Sequence, residues 1–398
     1  MDFRRLWLAD AVNQVGTRMT FLAAPLLAVL YLNASTFEVA LVRTCETLGW
    51  LLFGLLAGAW VDRTRCRPVL VITDVGRAIL MLTVPLAAVF GVLTLWQLYV
   101  VVFLVGVLTV FFDVAHQSYL PRLVPADQLV DANAKLAANA SVAAVAGAST
   151  GGYLVQLLTA PFVFAFDALT FLWSALWVRA IRHREPPVAP APDRHLGREI
   201  TEGVRYVFRH PVLRSLTMST ATIVLGQAGG MGVSMVFLVR DIGLSAGVIG
   251  LLGTVGLLGA LLASAVTRRL VARLGQARVL LWGVFLLGLA FLAQAFTTPG
   301  WGLVWWVASG FVSSFCIIAT NVVMMTIRQT VCAPELLGRV NATMELTVWS
   351  VMSVGSLLGG VLGTWAGTRV TLLVSGAVSC LAVGWLLARR TEIVGAAR

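Results

Sequence analysis

The stretch Asp10-Ala-Val-Asn13-Gln14-Val-Gly-Thr-Arg18-Met-Thr-Phe21-Leu-Ala-Ala-Pro-Leu-Leu-Ala-Val-Leu-Tyr31 decides the fold of this chain. With the residues from Leu6 onward it forms an apolar run long enough to cross a bilayer, yet it carries an aspartate, two amides and an arginine. At 1.5 Å per residue, Arg18 lies about 18 Å from the start of the run. A guanidinium at that depth costs several kcal/mol unless it faces protein, water or an opposite charge. The helix must therefore line something polar inside a membrane, and that points to transport.

The rest of the 398 residues agrees. Hydrophobic residues make up 59 % and charged residues 12 %, and mean hydropathy is +0.90, beyond soluble composition. Twelve apolar segments of spanning length follow one another, near 6–32, 38–61, 69–90, 95–118, 129–156, 161–181, 212–239, 246–268, 277–296, 301–324, 338–364 and 370–388. The expected fold is an all-α membrane protein. The first segment is too long and too polar for a cleavable signal peptide. The formal charge of +11 suggests a nucleic-acid partner, but its distribution argues against one. With the N terminus inside, arginines gather in alternate connections, whereas the opposite ones carry only Arg240 and Arg369. This positive-inside pattern predicts a cytoplasmic-membrane protein with both termini cytoplasmic. The five cysteines are scattered without CxxC spacing and read as small core residues. No metal or cofactor is expected, and no catalytic constellation: HExxH and a P-loop are both missing from the sequence.

The chain divides into an N-terminal half, 1–181, a linker, 182–211, and a C-terminal half, 212–398. The linker is Pro-rich over 183–193 and then amphipathic over 197–210, predicting a short helix on the inner membrane surface. The halves repeat each other. Gly147-Ala-Ser-Thr-Gly151-Gly152 recurs as Gly355-Ser-Leu-Leu-Gly359-Gly360, offset by 208, as do Asn133-Ala134 as Asn341-Ala342 and Asp113 as Asn321. Near an offset of 205, Ala59-Trp-Val-Asp62-Arg63 aligns with Ser264-Ala-Val-Thr267-Arg268. Two parallel six-span halves predict a secondary transporter.

Gly58-Ala-Trp-Val-Asp62-Arg63-Thr-Arg65-Cys66-Arg67-Pro-Val-Leu70 resembles the loop between spans two and three of the major facilitator superfamily, G-x-x-x-D-R-x-G-R-[KR]-x-x-L, departing from it at Arg65 and Cys66. Leu120-Pro-Arg-Leu-Val-Pro125, Phe166-Asp-Ala-Leu-Thr-Phe171 and Glu202-Gly-Val-Arg-Tyr-Val-Phe-Arg-His-Pro-Val-Leu213 resemble the enterobactin-exporter and macrolide-efflux branch. The resemblance implies a cytoplasmic gate built from Gly58, Asp62, Arg63 and Arg67; Asp113, near the inner end of span four by residue count, is the expected partner of its arginines. It also implies that Gly147, Gly151 and Gly152 form an antiporter-like glycine set, with Ala148 where the family motif has Pro. Small residues there equally suit close helix packing.

The charged residues inside the spans sort by depth and spacing. Asp74 and Arg77 are i,i+3 and can neutralise each other. Glu46, about 12 Å below the outer surface, lies at the depth of Arg18 on the adjacent antiparallel span. These two are expected to pair, with Glu46 as the leading proton-coupling acid and Asp167 and Glu345 in reserve. A static salt bridge is the competing reading of the pair. Asn13, Gln14, Gln227 and Asn321 are substrate-cavity candidates. The expected function is proton-coupled export of an amphiphilic small molecule by a monomer embedded in the lipid bilayer. The alternatives are a siderophore or metabolite exporter of narrow specificity, and a transport-inactive sensor or scaffold.

Overall fold

The computed structural model describes residues 2–61, 63–125, 128–183, 185, 196–332 and 336–389. No strand occurs among the described residues. The first half contains α1 (Asp2–Leu26), α2 (Thr36–Val61), α3 (Cys66–Val89), α4 (Leu95–Leu123), α5 (Leu129–Leu158) and α6 (Ala160–Arg179). After α7 (Leu196–Arg209) come α8 (Pro211–Val236), α9 (Ala246–Leu274), α10 (Gln276–Ala293), α11 (Leu303–Val331), α12 (Leu337–Ala366) and α13 (Thr368–Leu387). Among the described residues, ten helical stretches are long and apolar enough to cross a membrane; α1 and α2, with 25 and 26 residues, match them in length. The ends follow local chemistry. Ser35 and Glu38 form a reciprocal capping box before α2, Glu38 accepting from the Ser35 N–H at 2.7 Å, and Thr94 accepts from the Gln97 N–H at 3.3 Å before α4. Helices α4, α9 and α11 run beyond the apolar segments predicted for them, because their polar last turns keep helical hydrogen bonds after hydropathy has fallen.

The amphipathic helix α7 packs against α12 and the core beside it. Val207 is fully buried in a core with Leu213, Leu280, Val340 and Met344. Gly203 lies against Arg339 and Thr343 of α12, and Glu202 and Arg339 form a 2.7 Å ion pair. The apolar face of α7 is thus used on protein.

Two compact units result. One comprises Met1–Ala34, Cys45–Asp193 and Ser245–Thr254; the other comprises Ser35–Thr44, Arg194–Leu244 and Val255–Arg398. The start of α2 is therefore counted with the second unit and the start of α9 with the first. Within the first unit, Gly152 approaches Gly250 so closely that a Cβ on it would lie 3.0 Å from the Gly250 Cα. Within the second, a Cβ on Gly360 would lie 2.5 Å from the Ala40 Cβ.

The internal repeat extends to fine detail. Both α1 and α8 end in a π turn, Leu27–Tyr31 and Phe237–Asp241. The Leu32 N–H donates to the Leu27 carbonyl at 3.1 Å, and Ile242 repeats this to Phe237 at 3.0 Å. The starts of α1's π turn, α2 and α3 map onto the second half at an offset of 210, and those of α4, α5 and α6 at 208. The alignment of Asp62-Arg63 near offset 205 is therefore corrected: α2 registers on α9 at 210, which puts Arg63 opposite Arg273.

The repeat also exposes a strained residue. Thr159, between α5 and α6, has φ +71° and ψ 156°, and its counterpart Gly367 has φ +86°. That region is essentially reserved for glycine and costs a residue with a Cβ roughly 1–3 kcal/mol. Thr159→Gly is expected to raise the thermal midpoint of the purified protein, corresponding to about 1 kcal/mol after the added unfolded-state entropy is subtracted. A lowered midpoint would contradict this reading of the strain.

Candidate functional site

The buried charge of the first unit converges on the middle of α1. The small residue Gly16 lets α1 lie against α6: a Cβ there would come within 2.2 Å of Thr170 Oγ1 and 2.4 Å of Asp167 Oδ1. Asp167 is fully buried, and its oxygens accept from the Thr20 hydroxyl at 2.5 Å and the Thr170 hydroxyl at 3.0 Å. One turn earlier on α1, the Asn13 side-chain amide donates to Asp74 Oδ1 at 3.2 Å. The same oxygen accepts from Arg77, as the i,i+3 spacing predicts. Asp74 is 0 % and Arg77 2 % exposed, so this pair lies wholly out of solvent.

Arg77 sits between two aromatic faces, 4.2 Å from the Phe112 ring centre and 4.3 Å from that of Phe171. Such contacts stabilise a desolvated guanidinium. Its Nη1 also donates to Thr109 at 3.4 Å. His116 stacks on Phe112, centroids 5.8 Å apart. A second arm begins at Asp10, which accepts from Asn139 of α5 at 2.9 Å and from Gln14 at 3.4 Å. The charges acting on Asp113 come from Arg77 and Asp10. Asp10, Asp74, Asp113 and Asp167 thus share one region of the first unit with a single deeply buried arginine.

The second unit has no equivalent. At the offsets above, Asp10, Asn13, Asp74, Arg77, Asp113 and Asp167 become Thr220, Ile223, Val284, Leu287, Asn321 and Ser375. The polar contacts there are of a different kind: Gly226, the counterpart of Gly16, packs on Ser375 and Ser379.

Arg18 is exposed on α1, and no described residue makes a hydrogen bond or ion pair with it, so the pairing with Glu46 inferred from depth is not formed in this structure. Glu46 is half-buried, and its carbonyl lies against Gly106 of α4. Asn13 is buried and committed to Asp74, whereas Gln14 and Gln227 are half-buried and Asn321 is exposed. Glu345 is exposed on α12 and acts on the charge of Arg328, whose Nη1 donates to Asn341 at 2.7 Å. Gly147 and Gly151 receive the Arg18 Cβ and the Met19 backbone, and Gly152 receives Ala246 and Gly250. A Cβ on Gly58 would meet nothing within 4 Å, and Asp62 lies outside the described residues.

Around the gate loop, the important residue is one that the sequence reading passed over as linker. The Glu185 side chain is 3 % exposed and accepts from the Cys66 and Arg67 backbone N–H groups, both at 2.7 Å. These are the first free donors of α3, where a carboxylate is favoured by both hydrogen bonding and the helix dipole. Arg122 of α4 joins at 3.3 Å, and Arg67 donates to the Arg179 carbonyl at the end of α6. Arg63 is exposed. An acid just beyond span six, among arginines, was the available signal. Glu185→Ala should destabilise the purified protein by about 1–2 kcal/mol, the range of a lost helix cap. Glu185→Gln, which retains one acceptor oxygen, should cost less; equal thermal midpoints for all three proteins would dismiss the clamp.

A helical membrane protein made of two repeated halves, with a cluster of buried acids in the first, has the architecture of a secondary transporter. The family model for the transmembrane secretion effectors of the major facilitator superfamily matches residues 1–395, and the chain belongs to that family. It is 31 % identical over 374 residues to the multidrug efflux pump Tap of Mycolicibacterium fortuitum, covering 90 % of this chain and 88 % of that one. It is 23 % identical to the MFS-type transporter YfiS of Bacillus subtilis, covering 93 % and 89 %. Among solved structures, it matches an inward-facing bacterial homologue of the iron transporter ferroportin with a TM-score of 0.80 at 16 % identity, covering 98 % of both chains. The nucleoside transporter NupG matches with a TM-score of 0.79 at 11 % identity, covering 98 % of this chain and 99 % of that one. The protein is a transporter of this superfamily, and not an enzyme.

Proposed function

We propose that this transporter exports amphiphilic small molecules across the cytoplasmic membrane in exchange for protons, by alternating access, with both termini cytoplasmic. The observation that carries the proton-coupling part is the concentration of buried acids in the first unit, Asp10, Asp74 and Asp167, at positions where the repeat has Thr220, Val284 and Ser375. The repeat shows that the fold does not require charge there. The export direction and substrate breadth are supported by the likeness to an efflux pump.

Among the acids considered, Asp167 is the best placed to carry the proton. A carboxylate buried away from water is costly without a paired cation, and a protonated carboxyl is less so. Asp167 is bonded by the Thr20 and Thr170 hydroxyls, which can donate to the carboxylate or accept from the acid, so both protonation states remain satisfied. Asp74 is bound to Arg77 and is better suited to a fixed role. Glu46 is the second candidate, with Arg18 at matching depth, and Glu345 the third. Gly58, Asp62, Arg63, Arg67 and Asp113 remain the proposed cytoplasmic gate, with Glu185 holding the start of α3 beneath it.

The test is substrate-dependent proton movement in proteoliposomes of the purified protein. Proton release coupled to movement of an amphiphilic fluorescent dye supports the reading. Transport without proton movement removes the coupling, and no movement of any small molecule favours a sensor or scaffold. Accumulation of one metabolite only would favour the narrow exporter.

A further inference from the structure

The internal repeat supplies a control for Arg18. On α1, a Cβ at Gly147 would meet the Val15 carbonyl at 3.2 Å and the Arg18 Cβ at 2.5 Å. On α8, a Cβ at Gly355 would meet the Leu225 carbonyl at 2.7 Å and the Ala228 Cβ at 3.0 Å. Residues 18 and 228 therefore occupy the same place, and the helix pair needs only a methyl group there. Everything beyond the Cβ of Arg18 is surplus to packing.

The surplus atoms lead away from the protein core. Gly16 and Thr20 face α6, and Arg18, two residues from each, is about 160–200° round the helix. Its guanidinium is exposed and has no hydrogen bond or ion pair among the described residues. At mid-span, exposure to lipid is disfavoured by several kcal/mol, so this face of α1 is wet. Phe21, also exposed, is on the same side, one turn further along.

We propose that Arg18 is the binding residue for an anionic group on the transported molecule, which rests on the exporter reading above. The substrate class is then an amphiphile carrying a carboxylate, sulfonate or phosphate, with the anion on Arg18 and its apolar body toward Phe21. A guanidinium suits such groups because its planar fork donates two parallel hydrogen bonds.

The test uses two probes with one fluorophore and opposite charge: dansyltaurine, a sulfonate, and dansylcadaverine, an amine. Fluorescence anisotropy measures their binding to the purified full chain in nanodiscs. The wild type is expected to prefer dansyltaurine. Arg18→Ala, which copies the residue the second half carries, should keep the thermal midpoint and bind dansyltaurine at least about tenfold more weakly, the effect of one charge-assisted hydrogen bond. Dansylcadaverine binding should not weaken, and Arg18→Lys should recover part of the preference. Unchanged dansyltaurine affinity in Arg18→Ala overturns the proposal, as does a wild-type preference for dansylcadaverine or binding of neither probe. Lysophosphatidylglycerol distinguishes the anion's source: displacement of the dye assigns it to a lipid headgroup, and persistence to a soluble amphiphile, both consistent with an anion site at Arg18. Binding is read at equilibrium without a gradient. Absence of proton-driven transport would therefore defeat the functional reading and leave this measurement intact.

Discussion

Arg77→Ala is expected to lower the stability of the purified protein by about 3–5 kcal/mol, the cost of breaking a buried ion pair from one side. The variant leaves Asp74 charged and solvent-free, with the Asn13 amide as its remaining partner on α1. It also empties the space between Phe112 and Phe171. Removing both charges should do less harm than removing one. Asp74→Leu/Arg77→Met replaces the pair with apolar side chains and should recover most of the lost stability, because no uncompensated charge remains. The thermal midpoints of the single and double variants form the comparison. A double variant as unstable as Arg77→Ala would mean that the aromatic stacking, and not the unpaired aspartate, carries the effect.

The second large effect is functional. Asp167→Asn is nearly isosteric, and its amide can still bond Thr20 and Thr170, so the fold should be kept. It cannot take up a proton. Uphill, pH-gradient-driven transport should fall to the protein-free rate while downhill equilibration persists. Glu46→Gln is the parallel variant: if it abolishes uphill transport and Asp167→Asn does not, the coupling acid is Glu46. Thr20→Val supplies a graded case, since it removes one of the two hydroxyls and should weaken coupling without abolishing it.

Much of the architecture was legible because its signals are local. Apolar length marked the spans, and the glycine spacing of 147, 151 and 152 against 355, 359 and 360 marked the repeat. The Asp74–Arg77 pair was readable from i,i+3 spacing alone. The partners that join different helices were not: Asn13 with Asp74, Thr20 with Asp167, and Asp10 with Asn139 are separated by 61, 147 and 129 residues. Depth along a span can be counted from the sequence, but rotation about the helix axis is set by packing. That is why Arg18 and Glu46, matched in depth, are not paired, and why Asn13, read as a cavity amide, is buried against α3. Glu185 was hidden by the Pro-rich composition around it.

Proton exchange through the acids of the first half is proposed to drive transport. Its most direct test is dansyl-dye accumulation in proteoliposomes with an acidic lumen, comparing wild type with Asp167→Asn and Glu46→Gln. Uphill accumulation by the wild type is expected to collapse when the pH gradient is dissipated, and to be lost in Asp167→Asn. Uphill accumulation that survives dissipation of the gradient, or that is equal in all three proteins, would contradict it.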